Sequence, residues 1–172
     1  MKKTLVIHPE DETTEFLKTI YKDRVDWTII NSNLASKNEI VKGLVKHDRV
    51  IMLGHGTPHG LLGKGRFMID SQLVFILREK ECIGIWCNAD QFGERYGLKS
   101  FFTGMIVSEE QEADMFLLHE TSEDEIQKSN TLFAEAVRRS IDSPNIAEDI
   151  KKIYVGDSPV IKFNLDNINQ SV

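Results

Sequence analysis

Two residues stand out as able to do chemistry together. His55 lies in VIMLGHGTPHG (50–60) and Cys87 lies in IGIWCNAD (83–90). Each closes an apolar run and opens a polar or Gly-rich loop, and they are separated by 32 residues. A thiol beside an imidazole is the arrangement that nucleophilic catalysis needs, because the thiolate attacks and the imidazole moves protons. Gly56 lets the backbone approach a substrate closely, and its N–H is suited to holding an oxyanion. Taken singly, each residue has a plainer reading, a turn histidine and a small buried thiol. Their joint position at the ends of successive strands selects the catalytic one.

The elements that must position them come from an alternation of apolar runs and helical stretches. Strands are predicted at 4–8 (TLVIH), 26–32, 49–54, 82–86, 101–108 and 159–165 (PVIKFNL). A helix over 11–24 has an acidic first turn and a basic end, which suits the helix dipole. A second runs from a Ser36 cap through Lys46, with Glu39 three residues after Ser36 as in a capping box. Asp70 or Ser71 caps a third, through Lys80, and helices follow at Glu110–His119 and Glu123–Ile141. In the last, Ile126, Leu132, Phe133, Ala136, Val137 and Ile141 recur near the helical period and should pack on the sheet. Residues 55–69 form a Gly-rich loop with a small hairpin around LLGKGRFMI. Continuous apolar strands alternating with helices predict an α/β fold: a mainly parallel sheet of about six strands, with helices on both faces. The chain reads as a single domain over 1–172, with a frayed tail at 165–172.

Ligands of open α/β sheets bind outside the carboxyl ends of the strands. Those ends carry His8-Pro9-Glu10-Asp11, Gly54-His55-Gly56, Trp86-Cys87-Asn88-Ala89-Asp90 and Ser108-Glu109-Glu110. His55 and Cys87 end strands that are consecutive in the βαβ order. Adjacent strands lie about 4.8 Å apart, so side chains at their ends come within reach of each other. His8, just before Pro9, reads as a turn residue, or alternatively as a substrate contact.

Composition narrows the alternatives. The net charge is −6 and no basic stripe is present, which excludes nucleic acid as the expected partner. No apolar run reaches the length of a membrane span, and Leu5–Ile7 is too short for the apolar region of a signal peptide. A cytoplasmic protein with no membrane partner is expected. Cys82 and Cys87, about 16 Å apart along a strand and on opposite faces, are too far apart for a disulfide, which needs Cα atoms within about 7 Å. Both should be free thiols, as a reducing compartment favours, and Cys82, at the far end of its strand, reads as core. His55 and His59 have the spacing of a helical zinc pair, but Pro58 and the neighbouring glycines argue for a loop and no third ligand is evident. No metal and no cofactor are expected. GHGTPHG also invites a phosphate-cradle reading, yet no helix begins at once and GKG at 63–65 lacks the Walker spacing.

A hydrophobic strand ending in His-Gly (VIMLGHG, 50–56), followed by a hydrophobic strand ending in Cys (IGIWCNAD, 83–90), resembles the caspase-like fold of clan CD cysteine peptidases. The run HGTPHGLLG is most similar to a CHAT-type domain, and YGLKSFFTGMIVSEE (96–110) suits the strand that follows the nucleophile there. The resemblance covers roughly residues 1–120. It implies a three-layer α/β/α architecture with His55 as general base and Cys87 as nucleophile. It further implies an oxyanion hole made by the backbone N–H groups of Gly56 and Cys87, and hydrolysis of a protein or peptide substrate through an acyl-enzyme. In that family, loops after the first, fourth and fifth strands shape the pocket for the residue before the scissile bond. Here those loops carry Glu10, Asp11, Asp90, Glu109 and Glu110, which would favour Arg or Lys if they line that pocket; the alternative is that they are solvated acids on an acidic protein. The chain departs from the caspase pattern around the nucleophile, with Ile-Trp-Cys-Asn-Ala in place of Gln-Ala-Cys-x-Gly. The expected function is therefore a caspase-like cysteine endopeptidase. The alternatives are an inactive binding or regulatory module of the same fold and, further off, a phosphate- or nucleotide-binding α/β domain.

Overall fold

The computed structural model describes residues 2–171, with side chains through Asn169. Five strands run parallel: β1 (Thr4–Ile7), β2 (Thr28–Ile30), β3 (Arg49–Leu53), and then, beyond a hairpin insertion, β7 (Glu81–Ile85) and β8 (Ser100–Phe102). The sheet order is β2-β1-β3-β7-β8, and β9 (Gln170–Ser171) joins the β8 edge antiparallel. The sixth strand is thus this short edge strand.

Alternate strand residues supply two cores on opposite faces. One face packs Val6, Ile51, Ile83 and Phe101 against the 3-10 helix Glu12–Ile20 and three later helices, α5 (Glu123–Ser140), α6 (Ile146–Ile153) and α7 (Pro159–Asp166). The other packs Leu5, Val50, Met52 and Phe102 against α1 (Lys37–Lys46), α2 (Val74–Leu77) and α3 (Ala89–Tyr96). Every residue of β3 is buried, as expected for a central parallel strand covered on both sides. Between β3 and α2, β4 (Gly56–Thr57), β5 (Gly60–Gly63) and β6 (Arg66–Ile69) form a three-stranded antiparallel sheet, the hairpin expected around LLGKGRFMI. Among the described residues no helix is long and apolar enough to cross a membrane. Cys82 and Cys87 are both free.

Helix starts follow their caps. Asp11, Ser36 and Asp70 each accept a backbone N–H of the first turn, and Ser122 and Glu125 close a reciprocal capping box at the start of α5. The first helix is of 3-10 type and stops at Ile20, and the Asp70-capped segment is a 3-10 turn (Ser71–Leu73) running into the short α2.

PVIKFNL, expected as a strand, is helix α7. Ile161, Phe163 and Leu165 alternate as in a strand, but Ser158 caps the Ile161 N–H and Pro159 occupies the first helical turn. The residues it buries are Val160, Ile161 and Asn164, which is helical spacing. The strand expected at 101–108 ends at Phe102: the Thr103 N–H still donates to the Gly84 carbonyl (3.0 Å), but the donors after it leave the ladder. The Gly104 N–H donates to the Asn167 carbonyl (2.8 Å), Met105 N–H to Asn167 Oδ1 (3.3 Å) and Val107 N–H to Asn164 Oδ1 (2.8 Å). Asn164 Nδ2 in turn donates to the Val107 carbonyl and to the Tyr154 hydroxyl, each at 3.0 Å. Residues 165–171, expected to fray, thus contain the end of α7, the Asn167 contacts and β9, while Val172 lies outside the described residues.

Asn164 is buried, so Asn164→Ala strands the Val107 N–H and carbonyl away from solvent. With roughly 1–3 kcal/mol for each buried group left unsatisfied, the variant should lose about 3 kcal/mol in a urea melt. A loss below about 0.5 kcal/mol would show that α7 does not clamp the 103–108 segment.

Candidate active site

The parallel pairing of β3 with β7 runs in register from Arg49↔Glu81 to Leu53↔Ile85. Two residues beyond that last pair stand His55 and Cys87, on neighbouring strands at the carboxyl edge. Both line one narrow crevice with Thr14, Phe16, Gly54, Trp86, Ile106 and Ser108. Its volume of about 20 Å³ is room for roughly one water molecule.

The thiol is partly buried. Its Sγ lies 3.6 Å from the Ile106 carbonyl and 3.7 Å from Glu112 Oε1. Glu112 belongs to α4 (Glu110–Met115), and its other oxygen accepts the Ser108 N–H (2.8 Å) and hydroxyl (3.2 Å). Burial and then the Glu112 carboxylate push the Cys87 thiol up to about 12. The resting state at neutral pH is therefore a protonated thiol. Among the described residues no hydrogen bond joins Cys87 Sγ to His55, although the two share the crevice. Among the described residues the Cys87 backbone N–H makes no hydrogen bond. The next residue, Asn88, takes a left-handed conformation (φ 64°) that Asn tolerates better than most side chains, and it opens α3.

His55 is one-third exposed at its side chain. Its Nε2 contacts Thr13 Oγ1 at 2.6 Å, with Asp11 Oδ1 at 3.6 Å and Glu109 Oε1 at 3.7 Å. Gly56 is required by packing: a Cβ there would stand 2.0 Å from Trp86 Cδ1 and 2.7 Å from the Gly60 carbonyl. The Trp86 indole N–H donates to the Thr57 carbonyl at 3.0 Å, so the Gly56 turn and the residue before Cys87 are locked together.

Two larger hollows flank the crevice. One, of about 370 Å³, has Phe16 and Ile126 among its walls and carries the carboxylates of Glu12, Glu15, Glu109, Glu110 and Glu123. The other, of about 460 Å³, lies beyond His55 and is lined by Glu10, Asp11, Asn33, Leu62 and Lys64. Of the five acids expected around the site, Glu10 and Asp11 line one hollow and Glu109 and Glu110 the other. Asp90 lines none of these hollows. It sits in the first turn of α3, accepts the Gln91 N–H at 2.8 Å, and is raised by burial.

His8 is buried between Tyr21 Oη (2.9 Å) and Thr14 Oγ1 (3.2 Å), and burial lowers it to about 4, so it is a neutral internal residue rather than a turn residue or a substrate contact. His59 receives Arg95 Nη1 at 3.2 Å. Among the described residues no three His, Cys, Asp or Glu side chains converge as a metal site. The GHGTPHG run enters β4 and β5 instead of a helix, and the acids around His55 oppose a phosphate. Thr13 and Glu112 are residues beside the crevice that sequence reasoning missed, because their contacts with His55 and Cys87 arise only across the fold, whereas Ser108 lies where a strand's carboxyl end was expected. Neither a protein-family model nor a curated protein matches the chain.

Three outcomes follow from this geometry. Iodoacetamide labelling of Cys87 in a Cys82→Ser background should be slow at pH 7 and rise about tenfold per pH unit up to pH 10, as expected for a thiol that ionises far above the usual 8.5. Glu112→Gln removes a facing charge, so it should lower the ionisation point and speed labelling at pH 8, read by mass spectrometry; an unchanged rate would show that Glu112 does not act on the thiol. Gly56→Ala should cost about 1–3 kcal/mol in thermal or urea unfolding, because Trp86 must move.

Proposed function

We propose that the chain is a caspase-like cysteine peptidase acting through Cys87 and His55. The observation that supports this reading most is the β3–β7 register, which brings an imidazole and a thiol to one crevice at the carboxyl edge of a parallel sheet, between two peptide-sized hollows.

The reaction follows from the protonation state. A thiol raised to about 12 is not a standing thiolate, so its proton must leave as attack begins. His55 takes that proton while Sγ bonds to the scissile carbonyl carbon. The carbonyl π electrons move to oxygen, where the N–H groups of Gly56 and Cys87 stabilise the charge. The oxyanion then collapses, the C–N bond breaks, and His55 returns the proton to the leaving amine. Water, deprotonated by His55, attacks the thioester; the C–S bond breaks and the proton passes back to sulfur. A water-sized crevice does not seat a substrate side chain, so the residue before the scissile bond belongs in a flanking hollow. The acidic one suits Arg or Lys, with Phe16 and Ile126 against the aliphatic stem.

A specific observation also favours a non-catalytic reading: Sγ faces Ile106 and Glu112, a setting that suppresses the thiolate. On this reading the hollows bind a basic peptide without cleaving it.

A fluorogenic peptide panel differing only before the scissile bond separates the two. The peptidase reading expects turnover with Arg or Lys, little with Asp, and loss of roughly 100-fold or more in kcat for Cys87→Ala and His55→Ala. Binding of the Arg peptide with no cleavage by the wild type, and unchanged binding by Cys87→Ala, would replace the peptidase by the binding module.

A further inference from the structure

The Nε2 side of His55 is more ordered than a two-residue site requires. Thr13 Oγ1 stands 2.6 Å from His55 Nε2 and also 2.6 Å from Asp11 Oδ1. The hydroxyl has one proton to give. Two oxygens 2.6 Å apart with no proton between them would repel, and Asp11, which the Thr13 hydroxyl holds below the usual carboxylate range, can only accept. The Thr13 proton therefore goes to Asp11. A lone pair of Oγ1 then faces the imidazole, and His55 Nε2 must carry the hydrogen. The other charged group facing the ring, Glu109 Oε1 at 3.7 Å, favours the same placement, as does Asp11 itself at 3.6 Å. Nδ1 has no hydrogen-bond partner among the described residues.

We infer that Asp11 and Thr13 form a carboxylate–hydroxyl relay that fixes the Nε2–H tautomer of His55, leaving Nδ1 as the basic nitrogen for the crevice it shares with Cys87. Thr13 and Asp11 are positioning residues: they act through His55. The inference gives Asp11 a different task from the substrate contact expected of it, and it rests on the proposed roles of His55 and Cys87. The local backbone serves the relay. Asp11 caps the 3-10 helix by accepting the Thr13 N–H at 3.0 Å, so the cap that starts the helix also holds Thr13 against its own carboxylate. The logic is that of any carboxylate-oriented imidazole, in which the bond made by one ring nitrogen decides which state the other presents. Here a hydroxyl is interposed.

The tautomer is measurable without any enzymatic assay. Protein labelled with ¹⁵N at histidine, with the His55 signals identified by their loss in His55→Ala, is studied by long-range ¹H–¹⁵N correlation above the imidazole's own titration. Wild type and Thr13→Ser should show a protonated Nε2 and an unprotonated Nδ1. Thr13→Val and Thr13→Ala, checked for fold by circular dichroism, should show the proton divided between the two nitrogens. In the peptide assay kcat should fall roughly tenfold in Thr13→Val, a part of the roughly 100- to 10,000-fold that a positioned base supplies, with KM held and Thr13→Ser restoring the rate. A proton on Nδ1 in the wild type, or a spectrum unmoved by Thr13→Val, overturns the relay even if peptides are cleaved. An Nε2–H signal lost in Thr13→Val, in a protein that cleaves nothing, supports the relay and overturns the peptidase instead.

Discussion

The constraint on which the rest depends is the parallel register of β3 and β7. Parallel strands point their carboxyl ends the same way, so the turns that leave them emerge on one edge of the sheet. Because Leu53 pairs with Ile85, His55 and Cys87 leave that edge at the same height. A one-residue slip would invert every side chain of one strand, moving Met52 or Ile83 from its own core to the opposite one. The two cores therefore hold the register, and the register holds the site. Arg49 secures the other end of the same strand: its guanidinium reaches Asp142 at 2.7 Å and Thr4 at 3.1 Å and lies over the Trp27 ring.

What surrounds the thiol comes from later in the chain. Ile106 and Ser108 lie on a segment shaped by Asn164 and Asn167, and Glu112 hangs from that segment through Ser108. This environment makes Cys87 a protonated thiol, while the histidine side of the crevice is set by Asp11, Thr13 and Glu109. Carboxylates thus stand on both sides of the crevice, Glu112 facing the thiol and Asp11 and Glu109 beside the imidazole.

Much of this was legible in the sequence where burial alone decides structure. VIML and CIGI are continuous apolar runs, and they became adjacent buried strands that end two residues before His55 and Cys87. Where two signals competed, the stronger local one won. The alternation of Ile161, Phe163 and Leu165 suggested a strand, but the Ser158 cap and Pro159 started a helix. Helix α3 escaped notice because Gly93 interrupts its pattern; that glycine is there because a Cβ would meet the Phe102 ring at 2.9 Å. Helix α6 over IAEDIKKI was also missed; Asn145 precedes it without a side-chain cap bond. Thr13 and Glu112 could not be read at all. Their partners lie 42 and 25 residues away, and nothing in DETTEF or EEQEAD distinguishes a site residue from a solvated one.

The Asn164 clamp carries a consequence for the order in which the molecule comes into being. A ribosome releases β3, the hairpin and β7 while α7 is still unmade. Until residue 164 emerges, the Val107 N–H has no side-chain acceptor and the 103–108 segment is free to extend the β8 ladder. Until then Cys87 also lacks the fixed Ile106 and Glu112 contacts that suppress its ionisation. Closing the surroundings of the thiol therefore waits for the last helix of the described fold, which is also among the last segments to leave the ribosome.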